Sequence, residues 1–115
     1  FDMAWDFNDG FAIVRLNENY NFINTKGQLL SQQWFDNVWN FKEGSAKVKL
    51  NGKYNFINAK GQFLSQQWFD WVGNFNEGFT KVGLNGQDNL INTEWQICGC
   101  YGKIIPMEEY YLWRG

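Results

Sequence analysis

The sequence predicts an all-β fold of three tandem antiparallel β-meander (hairpin) repeats, closed by an irregular C-terminal cap. Similar segments begin at Phe1, Phe35 and Phe69, so the chain repeats every 34 residues, and such a period is typical of repeat architectures. Short alternating apolar runs are separated by turns that contain glycine, and no stretch keeps the 3.6-residue apolar period of a helix. The 115 residues therefore divide, within a single domain, into repeat 1 (1–34), repeat 2 (35–68), repeat 3 (69–96) and a cap (97–115).

The strongest local signal in repeat 2 is a hairpin. The alternating run 46–50 leads into Asn51-Gly52, and a second run follows over residues 53–58. Asn-Gly between two such runs favours a two-residue turn, and successive side chains then point to opposite faces of the hairpin. One face is predicted to carry Ala46, Val48, Leu50 and Ile57, and the other Lys47, Lys49, Tyr54 and Phe56.

Further turns complete the predicted repeat. Lys60-Gly61 suits a type I turn that ends at positive φ, after which residues 63–68 are predicted to run back as a third strand. The link 41–44 contains an acidic residue and a glycine, which should bend the chain before the next strand. Asn85-Gly86 predicts the hairpin of repeat 3. In repeat 1 Glu18 replaces that glycine, so we expect a three-residue loop with positive φ at its last residue and a register shifted by one.

The hairpin of repeat 2 and its preceding link resemble a known repeat. Residues 54–62 read Tyr-Asn-Phe-Ile-Asn-Ala-Lys-Gly-Gln, and residues 41–48 read Phe-Lys-Glu-Gly-Ser-Ala-Lys-Val. This pattern resembles the bacterial WG repeat over about the first 92 residues, with Tyr20-Asn21, Tyr54-Asn55 and Asp88-Asn89 at the Trp-Gly position. The resemblance implies an all-β binding or accessory array without a known catalytic centre, and it transfers no functional residue. The pattern is also similar to the aromatic, glycine-rich repeats of choline- and glucan-binding proteins.

Composition narrows the classes of function. Aromatic residues make up 20% of the chain, which suits recognition surfaces, and no apolar run is long enough to span a membrane. Cys98 and Cys100 are predicted to be small apolar side chains on one strand face, since the chain has no histidine to complete a zinc site. We therefore predict no metal, no cofactor and a reducing, cytoplasmic setting. Because Phe1 is not an initiator methionine, we also expect a segment upstream of it.

The sequence also argues against catalysis. Without histidine the commonest general base is missing. The acidic residues recur at equal repeat positions, which favours roles in turns over the paired carboxylates of a glycosidase. Those positions are Asp2, Asp36 and Asp70, and Asp9, Glu43 and Glu77. We predict no catalytic residue and no enzymatic activity.

Charge distinguishes the repeats from one another. Repeat 2 holds five lysines and two acidic residues, a net charge of +3, whereas repeat 1 carries −2 and residues 69–96 carry −3. A basic strand with aromatic residues can contact an acidic protein patch or a nucleic-acid backbone. The alternative is a solvated strand face whose charges discourage edge pairing. The predicted contact surface consists of Lys47, Lys49, Lys53, Tyr54 and Phe56.

The C-terminal tail departs from the repeat and ends in an aromatic run. The end of a repeat array needs an atypical segment, so the tail is predicted to cap the last repeat. Alternatively, Tyr110, Tyr111 and Trp113 anchor a partner, because tyrosine and tryptophan dominate interface energetics. Trp71 adds to this second surface, since it lies close to the tail in repeat 3 and two residues before Gly73.

Together these features predict a non-enzymatic binding module that mediates protein–protein interaction and does not act at a membrane. The basic repeat 2 also allows a nucleic acid or ribonucleoprotein partner. A small phage or mobile-element inhibitor of the anti-CRISPR type, which binds a nuclease or its guide RNA, is one alternative. A module that holds a glycan or choline-type ligand on its aromatic face is another.

Overall fold

The computed structural model describes residues 1–98 and 104–106. These residues form short antiparallel strands and no helix. The strands are β1 Met3–Ala4, β2 Phe11–Leu16, β3 Asn19–Asn24, β4 Asn37–Val38, β5 Ser45–Leu50, β6 Lys53–Asn58, β7 Trp71–Val72, β8 Phe79–Leu84, β9 Gln87–Asn92, β10 Gln96–Cys98 and β11 Ile104–Pro106. The all-β prediction is confirmed. Within the described residues, no helix is long and apolar enough to cross a membrane.

Each repeat forms its own sheet from a two-residue strand and a hairpin. The strand order is β1-β2-β3 in repeat 1 and β4-β5-β6 in repeat 2, while repeat 3 extends to the order β11-β10-β9-β8-β7. The backbone of β10 therefore covers the free edge of β9, and β11 pairs with the other side of β10, so this part of the tail is regular strand. The remainder of the predicted cap lies outside the described residues, and the single domain with its boundaries stays a prediction.

The third strand predicted over residues 63–68 is wrong. Only isolated bridges form there, at Phe63 and Phe69, and the third strand of repeat 2 is instead β4, which pairs with the other side of β5. A side chain explains the difference. Nδ2 of Asn55 donates to the carbonyl of Ser65 at 2.8 Å, so a backbone group in this segment is satisfied by an amide and not by a ladder.

All three hairpins share the same two-residue turn. Residues 51–52 both have positive φ, 54° and 79°, as a type I′ turn requires. In repeat 1 Leu16 pairs with Asn19, and residues 17–18 have φ of 51° and 68°, so the predicted three-residue loop and shifted register are wrong. The carboxylate of Asp2 explains the shared geometry, because it accepts the first N–H of the turn at 2.8 Å. The equivalent aspartates do the same in repeats 2 and 3.

Two hydrophobic clusters lie between adjacent repeats. The first joins Phe22 of repeat 1 to Phe41 and its neighbours in repeat 2, and the second joins Phe56 of repeat 2 to Phe75 and its neighbours in repeat 3. The ring centroids of these two pairs lie 5.0 Å and 4.8 Å apart. The hairpin of repeat 2 therefore packs one face against the preceding repeat and part of its other face against the following one.

Phe56 does not belong to an exposed contact surface, which corrects the prediction. The register is as expected, with Lys47 opposite Phe56 across the hairpin, but only 2% of the Phe56 residue is exposed. Repeat 3 covers this end of the face, and a phenylalanine ring contributes most to stability when it is fully buried.

Polar contacts also join the repeats. The predicted bend of the link is confirmed, since Glu43 and the glycine after it have φ of 54° and 88°. Oε1 of Glu43 accepts the N–H of Gly78 at 3.0 Å, which ties the link of repeat 2 to that of repeat 3. In the opposite direction, Nε1 of Trp95 donates to the hydroxyl of Ser45 at 3.0 Å.

Candidate binding surface on repeat 2

Three of the residues predicted to make contacts lie together in repeat 2, beside a tryptophan. Nζ of Lys47 lies 4.8 Å from the ring centroid of Trp39, and Nζ of Lys49 lies 5.6 Å from that of Tyr54. The two rings are 6.2 Å apart and tilted by 44°. We call Trp39, Lys47, Lys49 and Tyr54 the lysine–aromatic face.

The local backbone fixes this arrangement. Lys49 and Tyr54 are directly opposite each other across the β5–β6 hairpin, and side chains at paired positions lie close on the same face. The N–H of Trp39 donates to the carbonyl of Lys47 at 3.0 Å, which continues the β4–β5 ladder by one residue. Trp39 is therefore held beside Lys47 by the sheet itself.

The electrostatics of Lys47 are unusual for a strand lysine. Its side chain is half-buried, and this partial burial lowers the pKa of Lys47 because the charged form is desolvated. In the described part of the chain the one salt bridge joins Lys53 to Asp70. Within that part, Lys47 thus lies against the face of an aromatic ring and forms no salt bridge.

Lys53 does not join the lysine–aromatic face. It pairs with Leu50 at the end of the hairpin, so its side chain lies on the opposite side of the strand from Tyr54. Its Nζ donates to Oδ1 of Asp70 in repeat 3. This hydrogen bond, together with the one from the N–H of Asn85, lowers the pKa of Asp70 below its ordinary value. Lys53 therefore makes a contact between repeats.

Two open clefts lie on either side of Trp39. The Lys47 cleft has a volume of about 510 Å³ and is lined by residues of all three repeats, among them Asn8, Trp39, Lys47, Asn74 and Phe75. The Tyr20 cleft has a volume of about 530 Å³ and is lined by Trp5, Asn8, Ile13, Tyr20, Trp39 and Asn40, among others. Each volume falls in the range of about 300 to 1,000 Å³ that is common for ligand sites.

Trp39 and the cleft asparagines are functional candidates that the sequence analysis did not select. The signal for Trp39 was present, because Trp5 and Trp39 share a repeat position that is Gly73 in repeat 3. The asparagines gave no signal, since their meeting depends on how the repeats stack.

Repeat 3 has no equivalent of the lysine–aromatic face. Glycine replaces Trp39 and Lys49, and Asp88 replaces Tyr54. Trp71 pairs with Gly83 across β7 and β8, and a Cβ atom at Gly83 would lie 2.1 Å from Nε1 of Trp71. The indole of Trp71 thus lies on the backbone of Gly83, where repeat 2 has a lysine side chain. Trp71 is exposed and does not belong to the lysine–aromatic face.

The remaining predicted site residues, Tyr110, Tyr111 and Trp113, lie outside the described residues. In the part of the chain that is described, no group of three or more acidic or cysteine side chains could hold a metal ion. The chemistry that the lysine–aromatic face offers is recognition: two cations, two rings and amide-lined clefts.

Comparison with known proteins adds one finding. The chain is similar to the family described as WG containing repeat, which matches over residues 1–20, 22–54 and 56–87. No curated protein and no solved structure is significantly similar to it.

Proposed function

The chain belongs to the WG containing repeat family, and from this premise we propose that it is a non-enzymatic binding module that recognises another protein through the lysine–aromatic face. The observation that carries the proposal is that these four side chains come together in repeat 2, whereas repeat 3 keeps only the lysine, as Lys81, and replaces the other three. We further propose a cytoplasmic setting, in which Cys98 and Cys100 are reduced thiols.

The contrast between shared and unshared positions supports a role in binding. Residues that fill the clusters between repeats, such as Phe41 and Phe75, are the same in repeats 2 and 3. Folding therefore accounts for them. Lys81 keeps the lysine of Lys47, but Trp39, Lys49 and Tyr54 differ in repeat 3, which adopts the same hairpin without them. Their presence in repeat 2 is better explained by a partner than by the fold.

The geometry favours a protein over a nucleic acid or a glycan. Bases stack on free aromatic faces, but Nζ of Lys47 and Nζ of Lys49 each cover one side of a ring in this surface. A sugar or choline-type ligand would need the same ring faces. An acidic protein patch, in contrast, can pair with both ammonium groups while the rings stay as they are. A nuclease bound by an inhibitor of the anti-CRISPR type would be one such protein.

A comparative capture experiment tests the proposal. The parent chain, the double variant Lys47→Glu/Lys49→Glu and the control Lys26→Glu/Lys60→Glu are immobilised, and proteins captured from the native cell are quantified by mass spectrometry. Lys26 and Lys60 are exposed in glycine turns, so the control carries the same charge change at a distance from the face. We expect at least one protein to fall tenfold or more with the first variant and to be unchanged with the control.

The salt dependence of the affinity and the rates of association and dissociation identify the class of partner. For a protein partner, reversing the lysines should slow association more than it speeds dissociation. For a nucleic acid, each lost phosphate contact should lower the slope of log K against log salt by about one. Equal capture by all three proteins would contradict the proposal.

A further inference from the structure

We infer that the Lys47 cleft binds an acidic side chain from an extended peptide segment, with the carboxylate at Nζ of Lys47. The inference rests on the proposed function and gives it a partner of stated chemistry: a linear segment of the partner protein that contains aspartate or glutamate.

Lys47 carries a charge that forms no salt bridge in the described part of the chain. Lys47 lines the Lys47 cleft, is half-buried and has a lowered pKa because burial desolvates its ammonium group. A partly desolvated cation gains most from an anion that enters beside it, because a charge-assisted hydrogen bond then replaces lost hydration. A carboxylate bound over Trp39 would also leave the contact of Lys47 with that ring in place.

The Lys47 cleft as a whole has a small positive net charge. Besides Lys47, the charged residues that line it are Asp9 and Lys42. Both are exposed and lie in the links between repeats, so together they cancel and Lys47 remains as the excess charge. The cleft therefore carries +1 and is selective for one negative charge, not for a polyanion. This agrees with an acidic side chain better than with a nucleic-acid backbone, which would bring several phosphates.

Asparagine side chains in the two clefts offer hydrogen bonds that suit a peptide backbone. Asn8, Asn40 and Asn74 line the Lys47 cleft, and two of them also line the Tyr20 cleft. Each amide side chain offers both a donor and an acceptor, which matches the N–H and C=O groups of an extended peptide. Asn8 and Asn40, with Trp39, line both clefts, so one segment can run from the Lys47 cleft past Trp39 into the Tyr20 cleft.

The Tyr20 cleft then accommodates an apolar neighbour of the acidic residue. Its lining includes Trp5, Ile13 and Tyr20, and the rings of Trp5 and Tyr20 lie 6.0 Å apart. The inferred ligand therefore has an acidic residue followed or preceded at short range by an apolar or aromatic one. No single repeat provides both clefts, because the residues of each come from more than one repeat.

A peptide-display experiment tests the inference. Random 12-residue peptides displayed on phage are selected on the full chain, and the selected peptides are synthesised together with forms in which glutamate or aspartate becomes the amide. Kd is measured for the parent, Lys47→Gln, Lys47→Arg and Lys81→Gln. Lys81 is the matched control, since it has the same strand position in repeat 3 without a tryptophan beside it.

We expect acidic peptides to be enriched, and Lys47→Gln to weaken their binding by about tenfold or more, the value of a charge-assisted hydrogen bond. Lys47→Arg should restore most of the affinity, and Lys81→Gln should change it less than twofold. The amide form of the peptide should bind weakly to the parent and lose nothing further with Lys47→Gln. Equal melting temperatures of the variants show that folding is unaffected.

Three outcomes would overturn the inference: no selected peptide binds, selected peptides lack an acidic residue, or their binding persists in Lys47→Gln. The capture experiment separates this failure from failure of the proposed function. If capture still depends on Lys47 and Lys49 while the peptides fail, the partner is a folded protein surface and only the inference is wrong. If neither depends on these lysines, both are wrong.

Discussion

Repeats 2 and 3 have the same hairpin and different surfaces. Val48 and Val82, at the same position, are both fully buried, and each hairpin pairs its strands in the same register. One residue further along the strand, Lys49 lies over Tyr54, whereas Gly83 lies under the indole of Trp71. The buried valine is thus retained in both repeats, while the outward position next to it is exchanged.

The difference teaches where function can be found in a repeat protein. Positions shared by the repeats are explained by stacking, because each repeat buries its apolar face only against a neighbour. Positions that differ are free of this requirement. Under the proposed function, the exchanged residues on the outward face of repeat 2 contact a partner, and repeat 3 shows what the same backbone carries without them.

The largest expected effect concerns the buried residues that repeats 2 and 3 share. Phe35→Ala and Phe69→Ala should each lower the free energy of unfolding by about 3 to 5 kcal/mol, because both rings are completely buried between repeats. Phe1→Ala is the control at the same repeat position, where the ring is 64% exposed, and should cost about 0.5 kcal/mol or less. Urea unfolding measures all three. A large difference in the free energy lost by Phe35→Ala and Phe69→Ala would show that the two interfaces between repeats do not contribute equally to stability.

A second effect concerns Asn55, whose amide stands where the WG repeat has the glycine of its Trp-Gly pair. Asn55 is fully buried; its Nδ2 donates to the carbonyl of Ser65 and its Oδ1 accepts the N–H of Phe56, each at 2.8 Å. Asn55→Ala removes both of these buried hydrogen bonds and should cost about 2 to 4 kcal/mol. The exposed Gln66→Ala is the control, and equal denaturation midpoints for the two variants would refute this role.

A third effect sharpens the difference between the outward faces. Trp71→Ala should destabilise repeat 3 by about 1 kcal/mol, because the indole shields the backbone of Gly83 as a cross-strand partner. Asn37→Ala, at the same position in repeat 2, is exposed and should have little effect. Equal melting temperatures of the two variants would show that the contact of Trp71 with Gly83 does not stabilise repeat 3. The exposed ring would then serve another role.

The smallest effect concerns the ion pair between repeats 2 and 3. Lys53→Gln should raise the pKa of Asp70 towards its ordinary value, since the hydrogen bond from Lys53 is the main cause of its lowering. A lowered carboxyl pKa stabilises the fold above about pH 3.8, the ordinary value, and this contribution is lost as the pH falls through the lowered value. The variant should therefore have less of this contribution above pH 3.8 and lose less stability than the parent as the pH falls below that value. NMR titration of the Asp70 carboxyl carbon measures the shift, and an unchanged pKa would exclude the ion pair in solution.

Much of this fold could be predicted from local signals. The 34-residue period, the Asn51-Gly52 turn and the alternation along β5 are properties of neighbouring residues, so the register and the meeting of Lys47, Lys49 and Tyr54 followed from them. The loop predicted for repeat 1 was wrong because glutamate locally disfavours positive φ. The carboxylate of Asp2, 15 residues from Asn17, stabilises the two-residue turn in spite of that preference.

The parts that could not be predicted depend on contacts between repeats. Phe56 alternates onto the lysine side of the hairpin but is covered by repeat 3. Lys53 belongs by charge to the basic repeat, yet it pairs with Asp70, 17 residues away. The Lys47 cleft likewise requires the stacking of three repeats, and no property of a single repeat reveals it.

The most direct test of the account is an NMR titration of the uniformly labelled chain with the tightest peptide from the display selection. The account predicts that the backbone amides of residues 39–42, 47–49 and 54 and the indole N–H of Trp39 shift with one common Kd. The equivalent hairpin amides 81–83 and 88 should shift much less, because repeat 3 lacks the lysine–aromatic face. Shifts that fall equally on repeats 2 and 3, or mainly on Trp71 and the tail, would contradict the claim that binding resides in repeat 2.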